Sequence, residues 1–175
     1  MKNTPIEKPK LSVFKCPLFT ETADKYFDKV PSVHRAYLDF LKVKRENPIA
    51  PFGKSDKSNP ISTPLADSIP KLRHAHLSHD ISVFYTVSGA NPVQLKLYSI
   101  MSHDEAGIGQ PVNYKKQKSL GKKMANQVFT SPETQRIMED MISLATRLNE
   151  EKILPDYLLE QLNLMYNQGS TTTKE

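Results

Sequence analysis

Apolar residues change period along this chain, and the changes mark out its elements. Leu11 to Phe19 reads as a short strand, which Pro17 confines to a sheet edge or ends early. Thr20 is placed to cap a short helix through Tyr26 and Phe27, ending near Pro31. From Ser32, an N-cap type of residue, Val33, Ala36, Tyr37, Phe40 and Leu41 recur at i, i+3, i+4, i+7 and i+8, the spacing of one buried helical stripe. Arg35, Asp39, Lys42 and Arg45 take the opposite, solvated face. Residues 47–70 hold five prolines, Gly53 and several serines, a composition that disfavours regular structure and makes a long loop. Loops of that length in a compact domain are usually functional or mobile.

Period two then takes over. Leu72 to Ser78, Ile81 to Val87 and Val93 to Met101 read as three strands with short joins, the last join being the turn Ser88-Gly89-Ala90-Asn91-Pro92. Such joins make an antiparallel meander. Ile81, Val83, Tyr85 and Val87 share one face of their strand; Val93, Leu95, Leu97 and Ser99 share one face of the next. A turn or loop at 106–111 leads to a basic segment, 114–123. Either Thr130 with Glu133 or Ser131 with Pro132 opens a further helix, whose apolar face carries Ile137, Met141, Leu144 and Leu148. A last helix runs from about Pro155 to Asn167, with Leu158, Leu162 and Met165 as its stripe and Gly169 as its stop. Residues 1–10 and 169–175 are polar and read as flexible tails. The expected fold class is α+β: an antiparallel sheet with two N-terminal helices packed on it, plus a C-terminal helical extension over 130–168.

Composition narrows the reading. With 175 residues and 38% apolar content, the chain buries one core. The single cysteine, Cys16, has no internal disulfide partner, and no apolar run nears the roughly 20 residues of a membrane span. The first residues lack the apolar segment of a signal peptide, so a reducing cytoplasm is the expected compartment, with no membrane partner. A net charge of +5 favours an anionic partner without identifying one. Lys115, Lys116, Lys118, Lys122 and Lys123 fall within nine residues, the densest charge run in the chain; it reads either as a solvated helix face or as a phosphate-binding surface.

The chemistry concentrates in Arg73-His74-Ala75-His76-Leu77-Ser78-His79-Asp80, and His103 follows the next two strands. Imidazole is the side chain whose ordinary pKa lies near physiological pH, so clustered histidines beside a carboxylate point to proton transfer or metal ligation. His34, alone on a helix, reads as structural. Tyr85 alternates inward with Ile81 and Val83 and suits core packing, while Phe84 on the other face suits stacking on a base or covering a helix.

Together, Arg73, Ala75-His76, Asp80, Tyr85 and His103, set in the order strand, two helices, long loop, three strands, resemble the RelE/ParE toxin superfamily, and most closely its YafQ-like branch. The resemblance covers a core of 11–104 within a domain of 11–125. It implies ribosome-dependent cleavage of messenger RNA without a cofactor or metal, the ribose 2'-hydroxyl attacking the adjacent phosphorus to leave a 2',3'-cyclic phosphate. It further implies His76, Asp80 and His103 as catalytic residues, with His74, His79 and Tyr85 as candidates for a further catalytic or orienting role. Arg73, Lys54, Lys57 and the five lysines of 115–123 are then candidates for RNA phosphate contact. The implied partners are messenger RNA, the ribosome and an antitoxin or other inhibitor. Where that branch usually places another histidine, residues 50–70 contain none, and Lys54 and Lys57 offer only cations. Two alternatives stay open. Gyrase-poisoning relatives do no RNA chemistry, so a non-catalytic interaction or regulatory protein fits the same fold. His74-Ala75-His76 with His79 and Asp80 also resembles a metallohydrolase ligand run, although His79 precedes Asp80 where the metallo-beta-lactamase order is the reverse.

Overall fold

The computed structural model describes residues 10–54, 56 and 63–168, with backbone alone at 165–168. Apart from Lys10, the two expected tails lie outside the described residues, as do Lys57, Gly169 and the Met165 side chain. The order is β1 Leu11–Lys15, α1 Pro17–Phe27, α2 Pro31–Glu46, β2 Arg73–His76, β3 Ile81–Ser88, β4 Val93–Ser102, α3 His103–Ala106, α4 Tyr114–Ala125, α5 Pro132–Glu150 and α6 Asp156–Gln168.

Both early helices open on a proline rather than on the expected cap. Pro17 and Pro31 stand in the first turns of α1 and α2, where a missing N–H costs nothing and the fixed φ suits a helix. Strand β1 therefore ends at Lys15, Thr20 lies inside α1, and the cap positions fall to Cys16 and Val30 instead of Thr20 and Ser32. The stripe of α2 is as spaced: Val33, Tyr37, Phe40 and Leu41 are buried, while Arg35, Asp39, Lys42 and Arg45 are exposed.

The strands lie in the order β1-β4-β3-β2. The meander β2-β3-β4 is antiparallel as its short joins require, but β1 pairs parallel with β4, so the sheet is mixed rather than antiparallel. A parallel pair needs a long crossover, and here α1, α2 and the loop supply it. One face of the sheet receives the two helices: α1 packs along β4, and the Phe40 ring meets Tyr85 edge-on at 5.1 Å. Val83, Tyr85, Leu95, Leu97 and Ile100 are buried there, each such side chain contributing about 1.5–3 kcal/mol of transfer free energy.

A bulge breaks the expected alternation of β4. Tyr85 pairs with Leu97 but Phe84 pairs with Ser99, leaving Tyr98 as the extra residue and turning Ser99 away from the face of Leu97. Phe84 and Ser99 thus look to the second face, which the segment 63–72 and α4 cover in part: Ile69 and Ala125 border Thr86, Lys96 and Tyr98. Gly121 of α4 touches this segment so closely that a Cβ there would lie 2.4 Å from the Leu65 carbonyl oxygen.

Beyond the sheet, Ser102 and Glu105 form a capping box that converts the residues after β4 into the single turn α3. The Glu105 carboxylate is also held by Lys25 and Tyr26 of α1. Burial works against its ionisation, yet these hydrogen bonds and the Ser102 N–H hold its pKa down at about 2. Of the two starts expected for α5, the structure uses Ser131, whose side chain accepts from the Thr134 N–H, with Pro132 next. The stripe of α5 is not buried among the described residues: Ile137, Met141 and Leu144 are exposed, because α6 lies against a neighbouring arc of the helix.

Candidate active site

Strand register assembles the histidines. Four strand residues from Arg73 leave His74 and His76 on one face, and pairing sets His76 opposite Ser82 and His74 opposite Phe84. Pairing of Ile81 with Ser102 then brings the end of β4 beside the β2-β3 turn, where the His103 N–H donates to the Asp80 carbonyl at 2.9 Å. Residues 27 apart in sequence consequently meet. Nε2 of His76 lies 3.0 Å from Nε2 of His103, their rings 4.7 Å apart, and the Ser82 hydroxyl lies 3.3 Å from the same His103 nitrogen.

Two facing imidazole nitrogens at that distance form a hydrogen bond only if one carries a proton and the other does not, so the pair holds a proton between two basic sites. On the far side of His103, Nδ1 is 3.6 Å from an Asp80 carboxylate oxygen. The His76 pKa is lowered, chiefly by burial and then by the charges of His103 and His79, with Asp80 pulling the other way. At neutral pH His76 is therefore uncharged and able to accept a proton.

The other sequence candidates separate by position. The His74 ring extends the row, 5.4 Å from that of His76 and stacked on Phe84 at 5.9 Å. His79 is exposed in the turn. Tyr85 and its cross-strand partner Arg73 are not brought to the cluster, because odd positions of β2 and β3 face the helices. Lys54 is exposed on the loop, and Lys57 lies outside the described residues. Lys115, Lys116, Lys118, Lys122 and Lys123 are all exposed on α4, whose buried line is Gln117, Gly121 and Met124. The start of this helix adjoins the cluster: Lys116 Nζ donates to the carbonyl of Asp104, the residue after His103, at 2.7 Å. His34 stacks on Phe27 at 4.5 Å, away from the site. Among the described residues, no three His, Cys, Asp or Glu side chains come together as a set able to hold a metal ion.

A second polar cluster was not anticipated. Lys44 of α2, fully buried, donates to Asp56 Oδ2 at 2.8 Å, to the Tyr85 hydroxyl at 2.8 Å and to the Ala50 carbonyl. Asp56 also accepts from the Tyr85 hydroxyl at 2.6 Å and the Phe52 N–H at 2.7 Å. Burial pushes the Lys44 ammonium pKa down against the pull of Asp56, and burial with Asp56 pushes the Tyr85 phenol up. A signal for it lay in the sequence, since Lys44 stands seven residues beyond Tyr37, on the buried stripe of α2. The lone thiol, Cys16, is buried as well, its pKa pushed up to about 11. Compared with family models, characterised proteins and solved structures, the chain finds no match.

Proposed function

We propose that the chain is a RelE-type endoribonuclease that cleaves messenger RNA on the ribosome by metal-free acid/base chemistry. The observation that carries this reading is the facing pair His76 and His103, with Asp80 behind the second ring. Cleavage of this kind requires one ring that accepts a proton and one that donates a proton, within reach of the same phosphodiester. His76, uncharged at neutral pH, takes the proton of the ribose 2'-hydroxyl; the 2'-oxygen bonds to the adjacent phosphorus as the bond from phosphorus to the 5'-oxygen breaks. His103, next to the Asp80 carboxylate, gives its proton to that leaving oxygen. The products are a 2',3'-cyclic phosphate and a 5'-hydroxyl. Cations on α4 supply phosphate contacts, among them Lys116, whose Nζ reaches the carbonyl of Asp104 next to His103. The strand order, with β1 parallel to β4 and two helices between the first two strands, supports a RelE-like arrangement. An antitoxin or other inhibitor and a cytoplasmic setting belong to the same proposal.

Primer extension on a translated messenger tests it. Wild-type protein is expected to produce new ends carrying a 2',3'-cyclic phosphate, and His76→Ala and His103→Ala to produce none. Equal cleavage by wild type and both variants would remove the two histidines from the chemistry.

A further inference from the structure

Helix α5 carries two apolar stripes side by side, and the described residues cover one of them. Met138, Ile142, Ala145 and Asn149 turn inward, Ala145 buried and the others half-buried: Met138 lines a cavity beside α1, and the later three face an α6 whose Leu158, Leu159 and Leu162 are half-buried in turn. Asn149 closes this hairpin by donating to the Leu154 carbonyl at 2.9 Å and to Asp156 at 2.7 Å. Ile137, Met141 and Leu144 lie one residue back, about 100° around the helix axis, and each is 54% exposed. Tyr157 and Leu164, seven residues apart on α6, are open as well. Two helices have too few faces to bury so wide an apolar arc; a second pair of helices supplies the missing ones.

We propose that this face is an interface between two copies of the chain, with α5 packed antiparallel on α5 of the second copy. The charges beside the stripe select that partner and that direction. Ile137, Met141, Leu144 and Leu148 follow the alternating four- and three-residue spacing of a helix-helix seam. Asp140 and Arg147 sit seven residues apart on one flank of it, about 10.5 Å along the axis. Among the described residues neither makes an ion pair. In an antiparallel pair that layers Met141 on Leu144 of the second copy, Asp140 falls opposite Arg147 of that copy, and the two-fold axis repeats the match. A parallel alignment of the same seam gives Asp140 no counter-charge. Because the surface is self-complementary, assembly closes at two.

The test is the mass of the full chain in solution, by sedimentation or light scattering, over about 1–100 μM, a range that spans ordinary dimer affinities. Wild type is expected at twice 19.8 kDa. Met141→Glu is expected at 19.8 kDa with an unchanged circular dichroism spectrum, since residue 141 is exposed in the single chain. D140R and R147D, each of which sets like charges opposite one another, are expected to raise the dimer Kd about tenfold, and D140R/R147D to restore it. A wild type monomeric throughout, a Met141→Glu variant that remains dimeric, or a double reversal as weak as the single ones would each overturn the proposal.

Discussion

The two polar clusters lie on opposite faces of the sheet, meeting only through β3, which gives Tyr85 to one and Ser82 to the other, and they are built on opposite terms. On the helix face, Lys44, Asp56 and Tyr85 close on one another, each polar group meeting partners inside the protein. On the other face, Nε2 of His103 meets both His76 and Ser82 beside the exposed Asp80, and both histidine rings are only partly buried. A closed buried network is a matter of fold: loss of one member strands a charge or a hydroxyl without water. An open cluster built on imidazoles is a matter of chemistry: loss of one member leaves the fold and removes a proton site. One residue of register, His76 against Ala75 and Arg73, decides which side a position serves.

That contrast breaks most sharply at His103. His103→Ala is expected to lower cleavage about 10²- to 10⁴-fold, the usual contribution of a positioned acid or base, while the urea midpoint of unfolding stays that of wild type. A variant that lost stability and activity together would move His103 to the structural side of the comparison. Next in size is Lys44→Ala, which leaves the Asp56 carboxylate buried without its cation. Chemical denaturation should register a loss of about 3–5 kcal/mol, whereas the histidine rings of the still-folded fraction keep their contacts. Tyr85→Phe removes one hydroxyl from the same closed network and should cost about 1–3 kcal/mol by the same measurement. A near-zero change there would show that Lys44 and Asp56 satisfy each other without the phenol.

Much of the histidine side was readable in advance, because periodicity fixes faces. Alternation in β2 put His74 and His76 together, the short joins made the meander, and the spacing of α2 named its core stripe. Pairing was not readable. Nothing in Leu11 to Lys15 says that it adds parallel to β4, a choice made by the long crossover and by which edge of the meander is free. The β4 bulge likewise depends on packing both faces of the sheet at once, so Ser99 was put on the wrong side. Lys44 was missed for a chemical reason: a lysine reads as solvent-facing until a carboxylate from the loop, here Asp56, is known to reach it. Ser82 contacts His103 only through a cross-strand pairing that a single strand cannot show. The Ile137, Met141 and Leu144 stripe was visible, but amphipathic spacing does not say whether its cover comes from the same chain.

The smallest effect expected concerns the lysines of α4, which sharpen the contrast from the open side. Replacing Lys115, Lys118 and Lys122 by Gln should change stability by no more than a few tenths of a kcal/mol, since all three are exposed. If they contact RNA phosphates, ribosome binding weakens and the slope of log affinity against log salt becomes shallower by about two to three. An unchanged slope would return them to a solvated helix face.

The central claim is that His76 and His103 act as one proton-sharing pair, and an imidazole-resolved NMR pH titration of the full chain tests it most directly. Wild-type His76 is expected to titrate below its ordinary 6.5, because burial and the neighbouring histidines disfavour its charged form. The unfolded chain then takes up that proton first, so this residue's share of stability is present above pH 6.5 and is lost as pH falls through the lower folded value. In His103→Ala the His76 pKa should move back up toward 6.5, with the ring's chemical shifts losing the second step that coupling imposes. A His76 that titrates as an isolated ring, at the same pH with and without His103, would contradict the pairing and the acid/base site built on it.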